Sequence, residues 1–282
     1  VIDVAVVTCA PGDVDPDSPV LLEALTRVGL SSELVVWDDE RVDWANFNLT
    51  VIRSTWDYTS RRRPFLDWAA SLPHLENPYP VLEYSSDKHY LADLARRGHH
   101  VVPSFFIDVG DEVTLPGGDV VVKPCVGAGS MDAARYGPEH HDAAREHVTL
   151  LHRGGRDALV QPYVPSVDVL GERGLIFVDG QFCHAMKKGA MLNTPPPERH
   201  RLFRREQMTA CEADPAALAA ARHLLEDLGY DHLLYARVDV VSGDEGWLIM
   251  ELELVEPSLY LSYDEGTTRR LAEAIRSRVA RR

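Results

Sequence analysis

The chain has 282 residues and a formal net charge of −15. That length buries a large core and admits two domains or a compact three, while the acidity argues against nucleic acid or a membrane surface as partner, since both select basic patches. No apolar run is long enough to span a bilayer and no signal-peptide pattern is present; Cys9, Cys125, Cys183 and Cys211 are scattered without a C-x-x-C pair, so reduced thiols in a cytoplasmic protein are expected.

In chain order, IDVAVVT (residues 2–8) reads as a buried strand. Acceptor residues and a proline at Asp17-Ser18-Pro19 then open a helix whose Leu21, Leu22, Leu25 and Val28 turn inward until Gly29. Strands are predicted at Glu33–Trp37 and Leu49–Ile52, so the first third alternates strand and helix as a small parallel sheet does. RSTWDY (53–58) follows at the carboxyl end of a strand, where ligands collect in open α/β sheets. Arg53 is suited there to a carboxylate and Asp57 to an ammonium; an ordinary loop with an Arg–Asp pair and a core Trp56 is the alternative. A helix is predicted over Pro64–Ser71, and the three prolines of Pro73–Pro80 read as a linker.

SSDKHYLADLARRG predicts a helix capped by Ser86 or Asp87 and closed by Gly98, with Lys88 in its first turn opposing the helix dipole unless an anion is near. A strand at Val101–Phe106 follows. Asp119–Val122 is a further strand, ended by Lys123; Gly127-Ala128-Gly129-Ser130 then forms a flexible loop before a strand at Asp132–Tyr136. Glycines let backbone N–H groups crowd a phosphate and the lysine adds charge, although a plain hairpin also accounts for them. Neither a Walker A loop nor G-x-G-x-x-G is present. After a helix at Glu139–Leu151 and a strand at Ala158–Gln161, the prolines of QPYVPSVD hold an extended connector, either a purine-binding edge or an interdomain linker.

Arg173–Val178 and Gln181–Lys187 predict a hairpin turned at Asp179-Gly180, with Lys187 and Lys188 at its end. Residues 189–212 show no periodicity and suggest a functional or mobile loop. Helices are predicted over Ala216–Leu228 and Glu265–Val279. Between them YARVDVV and WLIMELELVEPSLYL read as two strands joined near Ser242-Gly243-Asp244. Side chains alternate along a strand, so Glu251 and Glu253 share a face, which Asp239 joins from the partner strand. Three carboxylates so close repel unless a cation sits between them, and hard oxygen ligands suit Mg²⁺; a solvated sheet face is the alternative. Only Lys88, Lys123, Lys187 and Lys188 are lysines in a Lys+Arg total of 29, and a chain this rich in arginine keeps lysine where a compact ammonium is needed, phosphate binding included. No H-E-x-x-H pattern indicates zinc.

Taken in order, these pieces resemble the ATP-grasp superfamily in its glutathione-synthetase-like branch: Lys88, Lys123 with GAGS, the Q-P-Y-V hinge, G-E-R before a D-G hairpin, a basic strand end and D…E-x-E, from about Ser86 to Tyr260. The resemblance implies an α+β fold with an α/β N-terminal unit, a nucleotide held between two α+β lobes, and domains at 1–85, 86–163 and 164–282. It implies that Lys88 and Lys123 bind the phosphates of ATP under a loop containing Gly127, Gly129 and Ser130. Gln161, Tyr163 and Val164 would hold adenine, Asp168 the ribose, and Asp239, Glu251 and Glu253 a Mg²⁺ or Mn²⁺ ion. Arg173 and Lys187 (or Lys188) would act on the transferring phosphate and the substrate, and Arg237, a distinctive residue on the strand face of Asp239, either pairs with these acids or acts on a substrate carboxylate. Many relatives have Asn where Glu253 stands, so the acidic cluster here carries more charge.

RSTWDY, YARVD and ELELVEPSLYL together resemble the cyclo-ligases of D-cycloserine biosynthesis, which act on O-ureido-D-serine. This implies a small amino acid substrate contacted by Arg53, Asp57, Glu256 and Ser258, its carboxylate activated as an acyl phosphate. Ring closure by its own ureido nitrogen would follow, the carbamoyl group leaving as CO₂ and ammonia. A ligase joining two separate amino acids and a nucleotide-binding regulatory protein with a dead site are the competing readings. A homo-oligomer is expected.

Overall fold

The computed structural model describes residues 1–10, 15–189, 208–230 and 233–282. Strands β1 (Ile2–Thr8), β2 (Ser32–Val36), β3 (Phe47–Ser54) and β4 (Leu75–Glu76) pair in parallel in the order β2-β1-β3-β4. The unbroken apolar runs of β1 and β3 fit a parallel sheet covered on both sides. Val4, Val6, Leu49 and Val51 pack with Leu21 and Leu25 of α1 (Asp17–Arg27), and Ala5, Val7 and Ile52 with Phe65 and Leu66 of α2 (Arg62–Ser71).

The stretch expected as a linker at Pro73–Pro80 is instead structured. It supplies β4 and the start of α3 (Tyr79–Ser85), which tolerates Pro80 because the first turn of a helix needs no N–H there. Buried Asn77 donates to the carbonyls of Tyr235 (2.9 Å) and Leu254 (2.8 Å) and accepts the N–H of Leu234 (2.9 Å), stitching this segment to the C-terminal part of the chain. Lys88 lies in the turn between α3 and α4 (Tyr90–Arg96), ahead of the helix. The strand expected at Val101–Phe106 shrinks to β5 (Phe105–Ile107) plus an isolated bridge from Val101 to Ile249. Pro103 between them has no N–H for a continuous ladder.

β6 (Val120–Pro124), β7 (Ala134–Tyr136) and β8 (Ala158–Pro162) join β5 in an antiparallel sheet ordered β5-β8-β6-β7. Ala144, Val148 and Leu151 of α5 (His141–Arg153) back it against Val120, Val122 and Val160. After the single turn of α6 (Val167–Leu170) come β9 (Glu172–Val178), β10 (Gln181–Lys188), β11 (Met208–Cys211), α7 (Pro215–Asp227), β12 (Tyr235–Gly243), β13 (Gly246–Glu253) and α8 (Glu265–Val279). These strands form an antiparallel sheet ordered β11-β10-β9-β12-β13. The β9–β10 turn has φ of 52° at Asp179 and 71° at Gly180, the left-handed pair that a two-residue hairpin matched to strand twist demands. Most of the 189–212 loop lies outside the described residues.

One face of this sheet, with Leu175, Phe177, Ala236, Val238 and Val240, packs on Ala217, Ala221 and Leu224 of α7. On the opposite face Ile176, Val178 and Tyr235 meet the core shared by α1, α8 and β1. Arg237 and Asp239 follow Tyr235 on that second face. Among the described residues no helix is long and apolar enough to cross a membrane. The four cysteines form no disulfide.

Candidate active site

A cavity of about 620 Å³ is walled by residues of the two antiparallel sheets and of the segments Pro16–Asp17 and Trp56–Tyr58 of the N-terminal unit. At one end stand Gln161 of β8, Tyr163 and Val164 beyond it, Lys123 of β6, and Gly127, Gly129 and Ser130 of the glycine loop. Gly129 (φ 58°) and Ser130 (φ 55°) both adopt left-handed backbone, and a Cβ on Gly127 would sit 3.0 Å from the ring of Pro124. The GAGS pattern is therefore a conformational requirement of this turn. Lys188 also reaches this wall, its ammonium 3.4 Å from Ser130 Oγ.

Lys88 enters from the α3–α4 turn, donating to the carbonyl of Gly127 (2.7 Å) and pairing with Glu251 (2.8 Å). Burial pushes the Lys88 ammonium down, but Glu251 outweighs it and the pKa ends above its ordinary value. Lys123 is depressed by burial, with Lys88 repelling it. Burial acts upward on Glu251, yet Lys88, Lys123 and Lys188 hold its carboxyl down at about 2. Buried ammonium groups thus share one carboxylate, an arrangement that favours the arrival of a polyanion.

Beside them lies the group around Arg237. Register sets Asp239 opposite Glu251 and Arg237 opposite Glu253. Arg237 grips Asp239 with two bonds (Nε–Oδ1 2.7 Å, Nη2–Oδ2 2.8 Å), reaches Glu253 at 2.6 Å and donates to the carbonyl of Ser258 at 3.1 Å. A Cβ at position 174 would come within 3.1 Å of Asp239 Oδ1 and 3.2 Å of Arg237 Cδ, so Gly174 makes room for this pair. Burial, reinforced by Asp239 and Glu251, raises the Glu253 carboxyl well above its usual range despite Arg237. The acids are thus short of positive charge, and their hard oxygens fit a divalent cation such as Mg²⁺. Among the described residues, the donor atoms of Asp87, His89 and Cys125 lie within 4.8 Å of one another, whereas those of Asp239, Glu251 and Glu253 do not converge so closely. Glu251 and Glu253 line the cavity, whereas Asp239 stands behind Arg237.

The far end is built from the start of α1, the turn after β3 and the segment after β13: Pro16, Asp17, Trp56, Tyr58, Val255, Glu256, Ser258 and Tyr260. Asp17 accepts the N–H groups of Leu259, Tyr260 and Leu261 (2.7–2.8 Å), fixing that segment against α1.

Several expected site residues are placed elsewhere. Arg53 is fully buried behind the wall, where it donates to the carbonyl of Pro257 (2.5 Å) and lies 5.0 Å from the Tyr235 ring, so it braces the 256–261 segment. Asp57 accepts from Trp37 Nε1 (2.9 Å) and is tightly bound by Arg61, outside the cavity lining. Arg173 donates to the carbonyl of Glu212 (2.9 Å) and lies 5.2 Å from the Trp247 ring, on the α7 side of the sheet. The reason is strand alternation. Register pairs Arg173 with Lys187 and Glu172 with Lys188, and it is the second pair that lines the cavity. Lys187 instead packs over Gly171. Asp168 lies outside the cavity lining, accepting from the Tyr163 hydroxyl (2.5 Å) and from Arg135 (3.3 Å). Sequence reasoning passed over Glu172, Trp56 and Tyr58 as wall residues. The position of Trp56 and Tyr58 just beyond the carboxyl end of β3 was the available signal.

A parallel α/β unit leading into two α+β lobes that close on a lysine-lined cavity defines the class: this is an ATP-grasp protein. A family model described as the N-terminal domain of D-cycloserine synthetase DcsG matches residues 4–79. The cycloserine biosynthesis protein DcsG of Streptomyces lavendulae is 36% identical over 283 residues, spanning 94% of this chain and 95% of that protein. The crystal structure of D-cycloserine synthetase DcsG superposes with a TM-score of 0.87 at 35% identity, over 98% of this chain and 99% of that one. D-alanine–D-alanine ligase from Bacillus anthracis in complex with ATP superposes with a TM-score of 0.66 at 13% identity, over 100% and 98% of the two chains, a likeness of fold. The chain belongs to the DcsG family, and it is an ATP-dependent ligase that forms C–N bonds.

Proposed function

We propose that the protein converts O-ureido-D-serine to D-cycloserine, using ATP to activate the substrate carboxylate and the substrate's own ureido nitrogen to close the ring. The observation that carries this reading is the continuity of the cavity. The polyphosphate end, with Lys88, Lys123, Lys188 and the glycine loop, runs past the acids of β13 to a wall containing Trp56 and Tyr58, and both aromatic residues fall within the stretch that matches the DcsG N-terminal domain.

In this reading Gln161, Tyr163 and Val164 receive adenine, and the lysines with Gly127, Gly129 and Ser130 hold the phosphates. Glu251 and Glu253, with Asp239 behind them, would hold Mg²⁺, or Mn²⁺, which has the same preference for oxygen ligands. Such an ion supplies charge neutralisation at the phosphate oxygens when bound. A carboxylate is a poor electrophile. Its oxygen attacks the γ-phosphorus, ADP leaves, and the acyl phosphate gains a leaving group, while Arg237 and the lysines stabilise charge on the surrounding oxygens. The ureido nitrogen then attacks the acyl carbon, phosphate departs, and water hydrolyses the carbamoyl group to CO₂ and ammonia. Attack within one molecule supplies proximity without a second amine-binding site.

The deciding experiment incubates the protein with ATP, Mg²⁺ and O-ureido-D-serine and follows ADP and D-cycloserine together. Stoichiometric formation of both is expected. ADP release with pairs of amino acids, but none with O-ureido-D-serine, would replace this reading with an intermolecular peptide-type ligase.

A further inference from the structure

Glu256 stands out at the amino acid end of the cavity. Its side chain is only 5% exposed and belongs to the cavity wall, and its Oε1 is buried without a partner. The other buried acids around the cavity are engaged: Glu251 by Lys88, Asp239 and Glu253 by Arg237, and Asp17 by three backbone N–H groups. A buried carboxyl without a hydrogen bond is costly, and native proteins rarely keep one without a use. Its backbone is held from both sides, the Tyr235 hydroxyl donating to the carbonyl of Val255 (3.0 Å) and Arg53 to that of Pro257.

The reaction proposed above has an unassigned proton. When the ureido nitrogen attacks the acyl phosphate, an N–C bond forms and the C–O bond to phosphate breaks, with the departing phosphate taking the electron pair. The hydrogen on the attacking nitrogen must pass to a base. Lys88, Lys123, Lys188 and Arg237 crowd the phosphate side and, as cations, cannot accept it. Resting on that reading of the reaction, we propose that Glu256 accepts the proton of the attacking nitrogen. The groups facing Glu256 are Arg237 and Tyr235 from β12, Lys88 from the α3–α4 turn, Arg53 from β3, Tyr58 from the turn after it, and Glu251 and Glu253 from β13. Burial, against the pull of Arg237, Lys88 and Arg53, lifts its carboxyl to about 7, where a base serves best in neutral solution.

Glu256→Gln keeps the shape and removes the acceptor. Two readouts separate the steps: hydroxylamine trapping of the activated carboxyl as a hydroxamate, and D-cycloserine formation. Ring formation is expected to fall about 100- to 10,000-fold, the usual contribution of a positioned base, with hydroxamate formation falling far less. The acidic limb of the ring-closure pH profile, present in the parent near pH 7 where Glu256 protonates, disappears in the variant. Should Glu256→Gln fail to fold, judged by ATP binding, Glu256→Asp carries the test: it retains an acceptor set back from the nitrogen, and the same split between readouts, reduced in size, is expected. Equal loss of both readouts in a variant that still binds ATP overturns the proposal, as does ring formation at the parent rate. A parent that makes no ring from O-ureido-D-serine removes the reading of the reaction as well. A parent that makes the ring, beside a variant that keeps pace with it, removes the role of Glu256 alone.

Discussion

Replacing Arg237 by Met tests how the acidic strands are held when no nucleotide is bound. Arg237 is 5% exposed, and its guanidinium makes two bonds to Asp239, one to Glu253 and one to the Ser258 carbonyl. Methionine matches its buried stem but strands two carboxylates. Removing one partner of a buried pair costs about 3–5 kcal/mol. Asp239, with its side chain 4% exposed, carries most of that cost, while Glu253 at 24% recovers part of its hydration, so about 4 kcal/mol is expected. Urea unfolding without nucleotide, on the parent, Arg237→Met and Arg237→Met/Glu253→Gln, measures it. The double variant should regain about 1 kcal/mol or more, since residues sharing one charge network couple by roughly 0.5–3 kcal/mol. Saturating Mg²⁺ should stabilise Arg237→Met more than the parent, because the ion replaces the lost positive charge at the stranded carboxylates. A loss below about 1 kcal/mol, with no coupling to Glu253, would show that Arg237 does not hold these acids and that the charge argument for the metal site is wrong.

The remaining predictions separate wall residues from their neighbours. Lys188→Ala should weaken ATP binding about 10- to 100-fold, the worth of one charge-assisted hydrogen bond, while Lys187→Ala changes it by about twofold at most; titration calorimetry distinguishes them. Glu251→Gln should lower turnover about 100-fold or more and raise the Mg²⁺ concentration needed for half-maximal rate, read from ADP release. Trp56→Ala should raise the KM for the amino acid about tenfold while leaving that for ATP alone, whereas Asp57→Asn, outside the wall, changes neither by more than about twofold.

How much of this was legible depends on the strand. In β12 the even positions Ala236, Val238 and Val240 are apolar and the odd positions Arg237 and Asp239 charged, so the inward and cavity faces follow from period two alone. The alternating Glu251 and Glu253 of β13 follow in the same way. β9 offers no such signal. Leu175, Ile176, Phe177 and Val178 are all apolar because that strand is buried on both faces, against α7 on one side and the α1–α8 core on the other. Adjacent residues of ERG must then point to opposite sides, but nothing local says whether Glu172 or Arg173 meets the ligand. Pairing with β12 decides it: Gly174 lies opposite Asp239, so Glu172 shares the cavity face and Arg173 cannot. Lys188 rather than Lys187 follows through its own register with Glu172.

The amino acid end was half legible for a related reason. RSTWDY spans a strand exit, as its sequence indicates, but Arg53 still belongs to β3, so its side chain is trapped beneath the segment that covers the strand end. The chain has turned by Trp56 and Tyr58, and these reach the wall. The same segment holds Glu256. Its position after the acidic strand was visible in the sequence, whereas its lack of a partner was not, because no spacing of residues reports which hydrogen bonds a fold leaves unmade. Arg53 sharpens the point. It is a buried cation near Glu256, yet it gives its hydrogen bond to the carbonyl of Pro257 and its ion pair to Asp17 (4.0 Å), and leaves Nε and Nη1 without partners. A fold selected only for stability would join such a pair. Holding the carboxyl apart keeps it available to a ligand, as the ring-closing role requires.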